Sequence, residues 1–310
     1  MPKVTLKDFA RSFGTTEKGI PAECRKLIRE KNFSYKVPQG KERDDILLAI
    51  LKKIESDRQV IGVKERQGIW YSGWAENLNN FIKSGYNLDA LVPRFIRPNQ
   101  AIRFNQNYIK PVNPSFELDY LSVFRLWLFK EYFQKVDSVY EFGCGTGFNL
   151  VALAGVYPDK QLHGLDFVQS STDLVNKIGQ AHKLKLQGRI FDMIHPDRNF
   201  KLAKNSAILT FGSIEQLASK FEAFLRYLLA QQPAICVHVE PTIELYDENN
   251  FVDYLAIKFQ GKRGYTHNFL PRLKELEEKR KVKILKIKRL FFGSLYMEGY
   301  NLIVWRPAEK

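Results

Sequence analysis

Long apolar runs are missing from this chain. No stretch of its 310 residues approaches the roughly 18–20 uninterrupted apolar residues that a membrane helix needs, so no membrane association is expected. Cysteine is scarce: Cys24, Cys144 and Cys236 lie far apart, odd in number and without a metal-ligand rhythm. They exclude a disulfide scaffold and read as reduced thiols of a cytoplasmic protein. The N-terminus, MPKVTLKDFARSFG, places charges where a secretory signal would place its apolar stretch, which argues against secretion. Internal repeats and low-complexity segments are also lacking. With 45% hydrophobic and 26% charged residues, the chain has the apolar material for a core and the length for one large domain or two ordinary ones.

What is abundant is positive charge, 48 Lys+Arg against 34 Asp+Glu, net +14. Such an excess suits nucleic acid, but it also serves plain solubility, and its placement decides between the two. Residues 1–135 hold 24 basic and 15 acidic side chains, net +9; residues 136–260 hold 11 and 14, net −3; residues 261–310 hold 13 and 5, net +8. The excess lies on the flanks. In the tail, Lys281, Lys283, Lys286 and Lys288 interleave with Val282, Ile284, Leu285 and Ile287, the pattern of a half-buried strand near a sheet edge.

The first part of the chain reads as short helices. Ala22–Glu30 follows Pro21, and Asp44–Ile54 sets Ile46, Ile50 and Ile54 on one stripe, with a turn-rich segment, Tyr35–Gly40, between them. An aromatic cluster, Ile69–Trp74, leads into a helix over Ala75–Ser84; Trp70 and Trp74, four apart, would share a helical face, for core packing or for stacking on a ligand. Residues 92–114, with four prolines, read as an ordered covering segment, and Leu118–Phe133 as a helix. From Val136 onward, apolar runs (Ser138–Phe142, Gln161–Leu165, Gly188–Phe191, Ala207–Phe211, Ala234–Val239) alternate with helical patterns at Asn149–Val156, Ser170–Gln180 and Glu215–Leu229. That alternation predicts an α/β fold, a doubly wound, mostly parallel seven-stranded sheet. Lys281–Phe291 and Asn301–Trp305 leave no room for a crossover helix, so the sheet should end in an antiparallel hairpin. Residues 1–117 form the expected N-terminal, mainly helical extension and residues 118–310 the expected α/β domain.

The strongest local signal is Val139-Tyr140-Glu141-Phe142-Gly143-Cys144-Gly145-Thr146-Gly147. Glycines at a strand-to-helix turn permit positive φ and let a ligand touch the backbone. The spacing differs from the dinucleotide pattern G-x-G-x-x-G, and an acid stands two places before the first glycine. With these residues the chain resembles the class I S-adenosylmethionine-dependent methyltransferases. Gln161–Asp166 resembles the family's second strand, whose terminal acid binds the ribose hydroxyls; Arg189–Met193 resembles the third, whose acid meets the adenine amine; Asn205–Gln216 resembles the fourth strand and the motif facing the methyl group. The resemblance covers residues 120–310. It implies S-adenosyl-L-methionine as cofactor, S-adenosyl-L-homocysteine as product, and cofactor contacts from Glu141, Gly143, Cys144, Gly145, Gly147, Asp166, Phe167, Asp192, Met193 and Gly212. Asp197 competes with Asp192 for the adenine role. The chemistry agrees: a carboxylate accepts two hydroxyl hydrogen bonds from a diol, whereas acids around the turn would repel a phosphate-bearing ligand.

Methyl transfer is an in-line displacement that needs alignment, water exclusion and removal of the acceptor's proton. Ligands in open parallel sheets bind beyond the carboxyl ends of the strands, which makes Glu215, His238 and Glu240 the catalytic candidates. Each has a plainer reading: Glu215 as a charge favouring a helix N-terminus, His238 as a satisfied strand histidine, Glu240 as a structural loop acid. His238-x-Glu240 lacks a third ligand at suitable spacing, so no metal is expected. Glu215, Glu240, Glu244 and Asp247 would give the mouth an acidic lean, suited to an amino compound or a sugar-like metabolite. Arg103, Tyr108, Glu244 and Tyr246 are the acceptor-binding candidates, with Phe104 and Trp70 able to close over the site. The expected function is N- or O-methylation of a small molecule by a monomer or homo-oligomer. RNA or protein methylation through the basic flanks is the alternative, although zinc-finger spacing, RNA-binding signatures and an Asn-Pro-Pro-Tyr-type motif are absent. A cofactor-binding scaffold without turnover is the third reading.

Overall fold

A computed structural model describes residues 1–61 and 65–308. The N-terminal part holds α1 (Leu6–Phe13), α2 (Ala22–Glu30), β1 (Tyr35–Lys36), α3 (Gly40–Ser56) and α4 (Glu65–Lys83), then a hairpin of β2 (Ile102–Phe104) and β3 (Asn107–Pro111). Local chemistry sets these boundaries. Thr5 and Asp8 form a reciprocal capping box at the start of α1, and Gly14, at φ 67°, closes its end in the left-handed region. The isoleucine stripe of α3 is buried at Ile50 and half-buried at Ile46 and Ile54. The aromatic cluster lies inside α4 rather than ahead of it, so the helix is longer than its apolar pattern predicts. The proline-rich segment is ordered, and its centre is the β2–β3 hairpin.

The second part runs α5 (Phe116–Tyr132), β4 (Ser138–Phe142), α6 (Phe148–Val156), β5 (Gln161–Asp166), α7 (Gln169–His182), β6 (Leu186–Ile190), β7 (Ser206–Phe211), α8 (Glu222–Gln231), β8 (Ile235–Glu240), α9 (Phe251–Arg263), α10 (Phe269–Glu278), β9 (Val282–Lys288), β10 (Phe292–Gly293) and β11 (Asn301–Pro307). The expected helix at Glu215–Leu229 is split into a 3-10 turn, Ile214–Leu217, and α8. Among the described residues, seven strands form one sheet in the order β6-β5-β4-β7-β8-β11-β9. The first five are parallel, and β11 runs antiparallel to both its neighbours. This is the doubly wound sheet with a terminal hairpin that the alternating pattern predicts.

Both faces of the sheet are covered, which is why its central strands are continuously apolar. Val139, Leu209 and Val237 face α5, α6 and α7, while Tyr140, Phe142, Ile208 and Cys236 face α8 and α10. The winding changes direction between β4 and β7, and ligands of such sheets bind at that switch point. β9 is the sheet edge; Lys286 donates to the Gly14 carbonyl at the end of α1, so part of the tail's positive charge serves a helix C-terminus. Among the described residues no helix is long and apolar enough to cross a membrane.

The packing crosses the expected division at 117/118. One apolar cluster joins Phe9, Phe13 and Phe33 to Trp127, Val139 and Leu302. A four-stranded sheet, β1-β3-β2-β10, takes its last strand from the loop inside the terminal hairpin, pairing Phe292 with Phe104.

Candidate active site

The glycine turn follows β4 at the switch point. Gly143 has φ +74°, and a Cβ added there would stand 2.3 Å from the Ser213 Cβ, so only glycine lets the segments after β4 and β7 meet. Its N–H donates to the Leu165 carbonyl at 2.7 Å, which ties the turn to the end of β5. Asp166 closes β5 beside it, 4% exposed. One Asp166 oxygen accepts from the Gly145 N–H and the other from the Val168 N–H, both at 3.1 Å. Burial pushes its pKa up to about 6, and these backbone bonds oppose the rise.

Behind the turn lies Glu141, also buried. Its Oε1 accepts from Asn149 at 2.7 Å, and its Oε2 has no hydrogen-bond partner. Burial raises its pKa to about 8. Arg125 of α5 stacks over Phe148, 3.7 Å from the ring centre, and donates to the Phe148 carbonyl, and its Nε is also unpartnered. A buried carboxyl group and a buried guanidinium, each with an unused polar atom, thus sit behind the glycine turn; Arg125 carries no motif that marks it in the sequence.

A cavity of about 370 Å³ opens at the strand ends. Gly143, Asp166, Phe167, Asp192, Met193, Gly212 and Ser213 line it, together with Gln67, Trp70 and Trp74 of α4 and Gln216, Leu217 and Lys220. Six of the ten expected cofactor residues therefore meet at one surface. Gly145 and Gly147 shape the turn; Cys144 is buried with its thiol 3.6 Å from the Ser171 hydroxyl. Asp192 accepts from the Ile194 N–H at 2.7 Å and pairs with His195 at 2.9 Å, whereas Asp197 accepts from the Asn199 N–H, as a loop cap does. Of the two acids, Asp192 lines the cavity. Trp70 and Trp74 stack at 5.5 Å, and Trp74 lies over Gly145. The i, i+4 spacing of the tryptophans signals a shared face; nothing local says that the face closes over the strand ends.

The catalytic candidates are placed differently from one another. Glu215 is buried in the 3-10 turn next to the cavity-lining Gln216, from whose amide its Oε1 accepts at 2.8 Å. Glu240 is turned onto backbone: it accepts from the N–H groups of Ser213 and Ile214 at 3.1 Å and of Glu215 at 3.4 Å, so it shapes the turn after β7. His238 is fully buried on the α8–α10 face. One ring nitrogen meets Thr210 at 2.9 Å and the other accepts from the Trp305 indole at 2.8 Å. Burial pushes its pKa down to about 3, so it stays neutral with both nitrogens engaged, away from the cavity.

The acceptor candidates lie outside the cavity lining. Arg103 is buried in an ionic cluster with Asp253 at 2.8 Å, and Arg289 bridges Asp253 and Glu298 at 2.6 and 2.7 Å. Tyr246 accepts from the Glu298 N–H in the same cluster, Tyr108 packs with Val252 and Leu255, and Glu244 accepts from the Asn268 N–H. These residues join the N-terminal hairpin to α9 and the terminal loop. Glu215, Glu240, Glu244 and Asp247, expected to give the mouth an acidic lean, are not among the residues that line the cavity.

No protein-family model matches the chain, and no curated protein matches it. Among solved structures, the chain is similar to the [4+2]-cyclase SpnF, with a TM-score of 0.48 and 12% identity over 61% of this chain and 81% of that one. It is also similar to the methyltransferase domain of bacterial CtHen1, with a TM-score of 0.43 and 16% identity over 60% and 97% of the two chains. A third similar structure is geranyl diphosphate C-methyltransferase from Streptomyces coelicolor A3(2), with a TM-score of 0.45 and 11% identity over 64% and 87%. At such values the functional reading rests on this chain's own residues.

Proposed function

We propose that the chain is an S-adenosylmethionine-dependent methyltransferase that methylates a nitrogen or oxygen atom of a small-molecule acceptor. The observation that carries this reading is the buried Asp166 carboxylate facing the same cavity as the glycine turn. A carboxylate offers about four lone-pair sites, and two backbone N–H groups leave room for a ribose diol. Behind the turn, Glu141 and Arg125 each keep one unpartnered polar atom, buried outside the cavity lining. Asp192 and the apolar Phe167 and Met193 suit an adenine.

Bound there, the cofactor supplies an electrophilic methyl group. The protein's own residues then align and desolvate: the glycine turn and Ser213 form the floor, α4 covers it, and Glu240 holds the turn that carries Glu215. Glu215 is the base candidate that this arrangement favours over His238. Calorimetric titration with S-adenosylhomocysteine tests the reading. A Kd below about 100 μM is expected, and no heat of binding at about 1 mM ligand refutes it.

A further inference from the structure

Asp192 and His195 are paired within the cavity lining. The strand ends fix where the pair stands. The Phe191 N–H donates to the Asp166 carbonyl at 2.8 Å, so Asp192 leaves β6 beside the acid that closes β5. The Met193 methyl group lies 3.7 Å from where a Gly143 Cβ would be, which holds the intervening residue against the glycine turn. Both Asp192 oxygens are engaged from their own loop: Oδ1 accepts from the Ile194 N–H at 2.7 Å, and Oδ2 lies 2.9 Å from Nδ1 of His195. An ionised carboxylate only accepts, so Nδ1 carries a proton and donates it, and a neutral ring keeps Nε2 as an acceptor. Pro196 disfavours the helical region for His195 and so restricts the backbone that carries the ring.

His195 is 82% exposed, and a pair this open adds little to the stability of the fold. Its effect is local. Two donors hold the carboxylate in one orientation, so a ligand amine meets an acceptor that is already ordered. Because the Ile194 N–H and the His195 Nδ1–H are both spent on Asp192, what the pair offers a ligand is lone pairs, which suit an amine and repel a carbonyl oxygen.

We propose that His195 is a positioning residue for the nucleobase: by donating to Asp192 it fixes an edge that takes the 6-amino group of adenine and rejects a 6-oxo group. The inference rests on the methyltransferase reading and adds the source of base selectivity to it.

The test is calorimetry with S-adenosylhomocysteine and its deaminated analogue S-inosylhomocysteine. The native protein should prefer the amine by about tenfold. His195→Ala should cut that preference to about threefold, chiefly by weakening S-adenosylhomocysteine. His195→Asn, whose amide can donate from the place of Nδ1, should restore it to within about twofold of native, whereas His195→Phe, a ring without a donor, should behave as the Ala variant. Thermal midpoints of all three variants should stay within about 2 °C of native. Native preference retained by the Ala or Phe variant, no restoration by Asn, or equal binding of the two nucleosides to the native protein overturns the proposal. A larger fall in the midpoint does so too, since His195 would then act on the fold. Failure of S-adenosylhomocysteine itself to bind is a separate result: it refutes the methyltransferase reading and takes this inference with it.

Discussion

Replacing Asp166 by Asn keeps the shape of the side chain and removes its charge. In the native protein each carboxylate oxygen already accepts one backbone N–H, from Gly145 and from Val168. A ribose diol would add two charge-assisted bonds, each worth about 1.5–3 kcal/mol. The amide keeps one acceptor oxygen and turns an NH₂ toward a donor, so at least one such bond is lost and the Kd for S-adenosylhomocysteine should rise about tenfold to 150-fold at pH 7.5. The pH dependence sharpens the test. Burial holds the Asp166 pKa up at about 6, and hydroxyl donors favour the ionised form. One pH unit below that value only about one carboxyl in eleven is ionised, so native affinity should fall about tenfold between pH 7.5 and pH 5. The Asn variant has no such proton to lose and should lack that step. Titration calorimetry at pH 5, 6, 7 and 8 on both proteins reads both effects. A variant that binds within twofold of the native protein at pH 7.5, or a native profile without a step near pH 6, would refute the assignment.

Other outcomes follow from the same geometry. Gly143→Ala forces a Cβ to within 2.3 Å of Ser213 at a positive φ, and should cost about 2–4 kcal/mol in urea denaturation and abolish cofactor binding. His238→Ala removes a buried ring bonded to Thr210 and Trp305; it should lower stability by about 2–4 kcal/mol while leaving S-adenosylhomocysteine affinity unchanged, and a large affinity loss would restore His238 to the site. Asp253→Ala leaves Arg103 and Arg289 without their shared carboxylate in the interior and should cost about 3–5 kcal/mol by the same denaturation measurement. Burial raises Glu117, Glu141 and Glu240 to about 7, 8 and 7. The folded chain therefore keeps protons that the unfolded chain has released, a stabilisation complete below the ordinary carboxyl range and lost as pH rises through 7 to 8. His238, with its pKa lowered, acts in the opposite sense only between about 3 and 6.5, so thermal midpoints of the ligand-free protein should fall from pH 6.5 to pH 8.

The parallel core was legible because its strands are buried on both faces and read as apolar runs, and because a glycine turn needs no partner to be recognised. The same burial hid the role of His238. On a strand flanked by Val237 and Val239, alternation identifies two faces without saying which one reaches the cavity. Glu240 was placed at the right strand end, but its ligands are backbone N–H groups, which every sequence has and none displays. The pairing of Arg103 with Asp253 and of β2 with β10 joins residues far apart in the chain, beyond the reach of any local period. Trp70 was recognisable as half of a helical face; the surface it meets is made by the fold.

The pairing of Phe292 with Phe104 also sets an order of assembly. A ribosome releases the chain from its N-terminus, so β2 and β3 emerge long before the strand that covers them. The Ser12 hydroxyl likewise waits for the Leu290 carbonyl, and Gly14 for Lys286. The N-terminal third therefore cannot reach its final packing during its own synthesis, and a nascent chain stalled near residue 250 should stay open to protease in the region that later forms the hairpin.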